Sequence, residues 1–172
     1  LVFDVLNQPF STGLWDPMRA YLQGLGVTFH METRVEKIAS TKRGWRLACQ
    51  GQRKRFDADG IVLAVNTSAL QGIVSRSEGV ADNEWNAQIE SLDSTLPFAI
   101  WRLWLDRDAV AGREAFVGTA GLSLLDNISL YHLFQDESRS YVEKHGGAIV
   151  ELHGYAIPEG LSEDAIKKNL WE

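Results

Sequence analysis

Apolar residues recur at helical spacing in part of the chain and in extended runs elsewhere. One helical face behind the Asp-Pro pair at residues 16–17 is formed by Met18, Tyr21, Leu22 and Leu25, and Gly24 and Gly26 mark the end of this first helix. Helical spacing or a good N-cap residue predicts further helices over residues 69–74, 82–92 and 136–145 and from Ser162 onward. The helices are therefore short and spread along the chain.

Extended segments separate the helices in the first half of the chain. A hairpin is expected where residues 27–40 run into a turn at residues 41–44 and return through residues 45–50. Residues 60–65 are apolar on both faces behind a glycine, which predicts a central strand of the parallel type.

The second half carries three further extended segments. Residues 96–106 alternate only weakly between apolar and polar positions, so we expect both faces of this strand to be largely buried. Two more strands are predicted over residues 122–134 and 146–157. Together with the helices, these segments predict an α+β fold with a mixed β-sheet and flanking helices.

Composition and charge exclude several classes of protein. Of 172 residues, 45% are hydrophobic and 23% are charged, which is typical of a globular chain with one sizeable core. The 23 acidic and 17 basic side chains give a net charge of -6, which argues against a nucleic-acid partner or an anionic membrane surface. Six basic residues gather on the predicted hairpin, where we expect a solvated sheet edge: Lys42, Arg43, Arg46, Arg53, Lys54 and Arg55.

Several features bear on the cellular setting of the protein. No apolar stretch approaches the roughly 20 residues that a membrane-spanning helix needs. The single cysteine, Cys49, excludes an internal disulfide and fits a reducing compartment, so we expect a cytoplasmic protein. The chain starts inside an apolar run and ends inside a helical pattern. We therefore expect residues 1–172 to be a single segment excised from a longer protein.

One long pattern in the first part of the chain resembles a known family. A helix, a Gly-Leu-Gly stop, an extended run, a hairpin and a return through "FDADGIVLAV" follow one another in order. This order and spacing resemble the middle of the FAD-dependent amine oxidase and phytoene desaturase superfamily over about residues 14–70. The opening residues lean toward the carotenoid desaturase and isorenieratene-synthase-like branch. The pattern is carried by Leu22, Gly26, Val27, Thr33, Val35, Ile38, Ala58, Asp59, Ile61, Val62 and Ala64.

The resemblance implies a two-domain flavoprotein and a set of FAD-binding positions. Val35 would meet the adenine through its backbone, and Ala64 and Val65 would lie near the phosphates or the ribityl chain. The helix start at Asn66 would offer free N–H groups to an anion. Residues 24–70 would face the FAD-binding domain, with the hairpin on that side, and residues 71–172 would belong to the substrate domain.

The chain lacks other parts that the family carries. It contains no G-x-G-x-x-G in a strand-helix unit and no glycine-rich C-terminal flavin segment. The resemblance therefore implies that FAD is bound by the full-length protein. We expect the segment alone to bind flavin poorly and to be inactive.

Candidate pocket residues lie on the strand predicted over residues 96–106. Trp101 and Trp104 could line a tunnel for a long apolar substrate, although core packing is the favoured interpretation. Arg102 could meet a flavin or substrate anion, or pair with Asp106 or a helix acid.

The histidines give no metal motif. His30, His132, His145 and His153 are far apart in sequence, and no H-E-x-x-H is present. A packed or hydrogen-bonded histidine is therefore favoured over a metal ligand. No G-x-S-x-G supports a catalytic triad, and the sequence assigns no catalytic residue.

These observations lead to one functional hypothesis and two alternatives. The full-length protein is expected to be an FAD-dependent oxidoreductase that takes hydride from a small apolar substrate, a carotenoid or other isoprenoid. The segment would contact the rest of the parent chain. The parent protein could also contact a membrane peripherally, where its apolar substrate would be found. One alternative is an amine or porphyrinogen oxidase of the same superfamily. The other is a non-enzymatic α+β binding or interaction module. An upstream G-x-G-x-x-G in the parent gene would separate the enzyme from the module.

Overall fold

The chain folds into two compact units. The computed structural model describes residues 5–51, 55–80, 82–110 and 112–172. One unit, here called the hairpin unit, is Thr28–Ser94, and the other, the sheet unit, joins Leu1–Val27 with Thr95–Glu172. Two of the basic residues predicted for the hairpin edge, Arg53 and Lys54, lie outside the described residues, as does the start of the apolar opening run. The assignment of residues 24–70 and 71–172 to two sides of a flavoprotein stays a prediction.

Helices and antiparallel sheets together confirm the predicted α+β class. In the described residues, the helices are α1 (Asp16–Gly24), α2 (Thr67–Ser75), α3 (Asn83–Glu90), α4 (Asp136–His145) and α5 (Glu163–Trp171). The strands are β1 (Val35–Thr41), β2 (Gly44–Cys49), β3 (Arg55–Ala58), β4 (Ala99–Leu105), β5 (Phe116–Leu122), β6 (Leu125–Leu130) and β7 (Ala148–Gly154). A π-helical turn, Ser11–Trp15, runs into α1, and a 3₁₀ turn, Tyr131–Leu133, follows β6. Both sheets pair antiparallel, so the predicted mixed sheet is wrong for the described residues, where a parallel contact occurs as an isolated bridge between Ala39 and Glu78.

The hairpin unit is built on a three-stranded sheet in the order β1-β2-β3. Strands β1 and β2 are joined by a tight turn in which Thr41 pairs with Gly44, which confirms the predicted hairpin. Gly44 has a φ of 119°, and a Cβ there would lie 2.4 Å from the carbonyl oxygen of Ala58. Only glycine satisfies both conditions without strain. An exposed ion pair links β2 to β3, and its hydrogen bond from Arg46 lowers the pKa of Asp57.

Helix α2 and the residues after it cover one edge of β1. The Arg76 side chain donates from Nε to the carbonyl oxygen of Glu36 at 3.1 Å. The backbone N–H of Ile38 donates to Oγ of Ser77 at 2.8 Å. Side chains therefore satisfy backbone groups at this edge that a further strand would otherwise pair with.

Residues 60–65 take no part in either sheet of the described residues, so the strand predicted there is wrong. Val62 in the middle of this run is 91% exposed. A run that is apolar on both faces becomes a central strand only where strands pair with it on both sides. Within the described part of the chain, no strand does so.

The sheet unit contains a four-stranded antiparallel sheet in the order β4-β7-β6-β5. Central strand β7 is buried along almost its whole length. Helix α5 packs on one face of this sheet, where Leu170 joins a core with Leu130, Val150 and Leu152. The core of the unit therefore lies between α5 and the sheet.

Strand β4 buries one face only, so the expectation that both faces are largely buried is wrong. Trp101 and Leu103 pack against the core, whereas Ile100 and Trp104 on the other face are exposed. The physical reason is that α5 covers a single face of the sheet.

The predicted helix starts are confirmed by their caps. Asn66 Oδ1 accepts from the N–H of Ala69, Asp82 Oδ1 from Trp85, and Ser162 Oγ from Ala165. In the described residues, no helix is both long enough and apolar enough to span a bilayer.

Candidate functional site

The sheet unit contains a large, mainly apolar cavity that is open to solvent on one side. Its volume is about 820 Å³, within the roughly 300–1,000 Å³ typical of small-molecule sites. Most of its cover comes from the segment before α1 and from the 3₁₀ turn, and Asn7 holds that segment in place by accepting from the N–H of Asp136 at 2.8 Å. The apolar part of the lining is Val5, Leu6, Pro9, Phe10, Leu14, Ala115, Phe116 and Phe134.

The floor of this sheet-unit cavity belongs to a polar row on the sheet face opposite α5. Arg102 on β4 pairs with Glu151 on β7, and Glu151 pairs with Ser129 on β6. Two residues further along β7, His153 lies opposite Asn127 of β6. Because side chains alternate between the faces of a strand, all five project from the same face. Arg102, Ser129 and His153 line the cavity directly.

Glu151 is the centre of the polar row and is only 4% exposed. Its Oε1 accepts from Arg102 Nε at 2.6 Å, and its Oε2 lies 3.0 Å from His153 Nε2. Removing a carboxylate from water costs several kcal/mol unless partners of this kind compensate. The guanidinium balances the carboxylate charge and holds it in one orientation.

Tyr131 closes the row on the side of the 3₁₀ turn. Its ring centroid lies 4.5 Å from Cζ of Arg102, a cation–π contact. Burial raises the pKa of Tyr131, and the nearby charge of Glu151 acts in the same direction. The phenol therefore keeps its proton well above neutral pH and can act as a hydrogen-bond donor.

His153 has a polar neighbour at each ring nitrogen. Nε2 faces Glu151, and the hydroxyl of Tyr155 lies 3.5 Å from Nδ1. Asn127 Nδ2 donates to that hydroxyl at 2.7 Å. An ionised carboxylate can only accept, so the neutral imidazole carries its proton on Nε2 and keeps a lone pair on Nδ1.

The hairpin unit has a smaller cavity of its own, of about 280 Å³. This volume falls just below the roughly 300–1,000 Å³ of sites for whole small molecules, so it suits one part of a larger ligand. Two of the lining side chains are arginines and none is acidic, which favours an anionic group. The lining is Thr33, Arg34, Val35, Val65, Ala69, Ile73 and Arg76.

Val35 presents its backbone N–H away from the sheet at this cavity. The carbonyl oxygen of Arg34 accepts from Gln50 N at 2.9 Å, on the side of β2. Because the peptide is trans, the Val35 N–H points the opposite way. Among the residues that the structure describes, no hydrogen-bond acceptor meets it.

Comparison with known proteins shows a relative that covers nearly the whole chain. The chain is 33% identical over 168 residues to a carotenoid phi-ring synthase of Streptomyces griseus, which is 97% of this chain and 32% of that protein. The chain is similar to carotenoid phi-ring synthases. A carotenoid phi-ring synthase of Chlorobaculum tepidum is 34% identical over 70 residues, 41% of this chain and 11% of that protein. No family model matches the chain.

The similarity to carotenoid phi-ring synthases confirms the carotenoid-related part of the predicted resemblance. The chain spans about a third of the length of the Streptomyces protein, and the aligned part includes both units. The flavin-dependent superfamily stays a prediction at this point.

Of the predicted pocket residues, Arg102 lies at the sheet-unit cavity. Its partner is Glu151, not Asp106 or a helix acid as the sequence had suggested, because Asp106 is exposed beyond the end of β4. Trp101 packs in the core with its ring edge toward Trp171, as the favoured interpretation predicted. Trp104 is 58% exposed, and neither tryptophan lines the cavity.

Of the predicted cofactor residues, Val35 and Val65 line the hairpin-unit cavity. Ala64, which directly precedes Val65 in the chain, is exposed. The side-chain oxygen of Asn66 caps α2 by accepting from the N–H of Ala69. The other N–H groups of the first turn have no acceptor within the helix, as in any α-helix. Their roles toward a cofactor stay predictions.

Sequence reasoning missed Glu151 and Tyr131, and it interpreted His153 as a packed or hydrogen-bonded histidine. The available signal was the i, i+2 spacing of Glu151 and His153 within an apolar strand, which places both on one face. His132, by contrast, is a buried histidine whose Nδ1 lies 3.3 Å from the backbone of Ile149, in agreement with the packed interpretation.

Proposed function

We propose that the chain is part of an FAD-dependent oxidoreductase that acts on a carotenoid with cyclic ends. The observation that carries the proposal is the similarity to a carotenoid phi-ring synthase over 97% of the chain. The relatives' name refers to a carotenoid and to a ring, which favours this substrate class over an amine or a porphyrinogen. A non-enzymatic module is disfavoured for the same reason.

The geometry of the hairpin unit supports FAD as the cofactor of the longer protein. The outward N–H of Val35 suits an acceptor on the edge of an adenine ring, and the adjoining cavity suits one portion of a dinucleotide. Arg34 and Arg76 supply positive charge for phosphates, and the helix start after Asn66 supplies N–H groups. When bound, FAD supplies the capacity to accept hydride. Ala64 and Val65 would lie along its phosphates or ribityl chain.

The sheet unit supports the binding of an apolar substrate. The apolar cover from Val5 to Leu14 and Phe134 buries hydrocarbon surface, which contributes about 25 cal/mol for each Å² removed from water. A hydrocarbon bound there would displace water from the polar floor, where electrostatic interactions would then strengthen. Because a carotenoid dissolves in lipid and not in water, we propose peripheral membrane contact for the longer protein.

Replacing Val35 with proline tests the cofactor assignment. Proline removes the outward N–H without removing a β1–β2 hydrogen bond, because that N–H points away from β2. We expect the affinity of the full-length protein for FAD to fall fivefold to a hundredfold, the equivalent of about 1–3 kcal/mol for an unpaired acceptor. FAD binding is measured by titration of the apoprotein with flavin fluorescence as the signal.

Val35→Thr is the matched control, since it keeps both the N–H and the β-branched shape. Its affinity for FAD should equal that of the wild type. Unchanged affinity in Val35→Pro, with an unchanged thermal midpoint, would remove Val35 from the adenine site. A wild-type full-length protein that takes up no FAD would overturn the flavoenzyme itself.

A further inference from the structure

A histidine lines the apolar cavity, and a buried carboxylate lies behind it. Neither side chain has been assigned a role in the proposed function. His153 lines the sheet-unit cavity, and its side chain is 14% exposed. Glu151 behind it is fixed by Arg102, whose Nη2 lies 2.5 Å from the same oxygen that accepts from Nε. His132 also has a carboxylate neighbour, Asp108 at 3.3 Å, but that carboxylate is 71% exposed and His132 does not line the cavity. The arrangement at His153 is that of a base and the group that orients it.

We propose that the sheet-unit cavity receives the cyclic end of the substrate and that His153 accepts a proton from a carbon of that ring. The proposal rests on the function proposed above and deepens it by giving the ring a binding site and the reaction a base. His153 is the catalytic residue, and Glu151 is the residue that positions it.

The step balances with an oxidised flavin as the hydride acceptor. One ring carbon loses a hydride, with both electrons of its C–H bond. The neighbouring ring carbon loses a proton to Nδ1 of His153, and the electron pair of that second C–H bond becomes the new C=C bond. The ring is oxidised by two electrons and the flavin is reduced by two. The imidazole ends as an imidazolium.

Glu151 serves this step in two ways. It accepts from Nε2, which leaves the lone pair on Nδ1, and its negative charge stabilises the imidazolium that forms. Arg102 keeps the carboxylate in place and offsets the cost of burying its charge. Both side chains stand on neighbouring strands of a hydrogen-bonded sheet, which gives the pair a fixed geometry.

The proton has a route away from the cavity. The hydroxyl of Tyr155 lies 3.5 Å from Nδ1, and Tyr155 as a residue is 52% exposed, so this side chain connects the imidazole to the protein surface. The other charged or titratable groups around the cavity floor are Arg102, Glu114, Tyr131 and Glu151.

The decisive comparison is between His153→Gln and His145→Gln in the full-length protein with FAD bound. His145 is exposed on α4, away from the cavity. We expect His153→Gln to lower kcat by roughly a hundredfold or more, the usual contribution of a general base, with carotenoid affinity unchanged within about threefold. His145→Gln should match the wild type.

Glu151→Gln tests the positioning role. The amide can still accept from Nε2 but carries no charge to stabilise the imidazolium, so kcat should fall while KM stays near its wild-type value. A purely structural role would instead change KM together with kcat.

A second readout needs neither flavin nor turnover. β-Ionone, a small molecule with a cyclic isoprenoid end, is added to the apoprotein, and histidine ring resonances are followed by NMR. The resonance that is missing in His153→Gln should shift, and that of His145 should not. An unshifted His153 resonance, or a wild-type rate in His153→Gln, overturns the role of His153. If the wild type is active in that experiment, the proposed flavoenzyme function is still supported. A wild type that binds no FAD and converts no carotenoid overturns both.

Discussion

Replacing Glu151 with alanine should lower the free energy of unfolding by about 3 kcal/mol. Removing one partner of a buried ion pair typically costs about 3–5 kcal/mol because the remaining charge is left without compensation. Arg102 is 37% exposed and regains some water, which places the expectation at the lower end of that range. His153 loses its carboxylate partner in the same variant. Urea unfolding of wild type and variant measures the difference.

The exposed ion pair between Arg46 and Asp57 provides the matched control. Its N–O distance is 2.7 Å, similar to that of the buried pair, but both side chains are in contact with water. We expect Asp57→Ala to leave the unfolding curve unchanged, since exposed pairs contribute little. Equal effects of the two alanine variants would contradict the burial of the Glu151 carboxylate, which is 4% exposed.

Leu170→Ala should destabilise the sheet unit by about 4 kcal/mol. Leu170 is 1% exposed and is the residue by which α5 joins the core of the sheet. Truncation of a fully buried leucine costs about 2–5 kcal/mol, with the larger values where the cavity cannot collapse. The surrounding Leu130, Val150 and Leu152 stand on or at the end of paired strands and can move little. The same urea unfolding experiment, with tryptophan fluorescence as the signal, measures this loss.

Leu122→Ala is the control for that loss. Leu122 is 51% exposed at the end of β5, so its truncation should cost under about 1 kcal/mol. If Leu170→Ala proved as stable as Leu122→Ala, the packing of α5 on this face of the sheet would be contradicted.

Local features of the fold were predictable where local chemistry decides them. The caps at Asn66, Asp82 and Ser162 fixed three helix starts, because a side-chain oxygen that accepts from the third N–H is a short-range interaction. The hairpin between β1 and β2 followed from the same kind of signal, a turn that ends in glycine between two extended runs.

Features that depend on distant partners were not predictable in this way. Residues 60–65 have the composition of a central strand but join neither sheet in the described residues, and composition does not reveal whether partner strands are present. Strand β5 was missed because Gly118 and Gly121 hide its pattern, whereas pairing with β6 is what holds it.

The candidate site was predictable only in part. Arg102 stood out as a charge among apolar residues of a strand, and its face followed from the alternation along β4. Its pairing with Glu151, 49 positions away, follows from the strand order β4-β7, which no local pattern encodes. The polar row therefore became visible only when the sheet brought three strands together.

The central claim is that this chain belongs to a flavoenzyme that oxidises a carotenoid, and the visible absorption spectrum of the purified full-length protein tests it most directly. The account predicts flavin absorption bands that bleach when a carotenoid with cyclic ends is added without oxygen, as hydride leaves the substrate. A folded, colourless protein that takes up no added FAD, or a bound flavin that no carotenoid reduces, would contradict it.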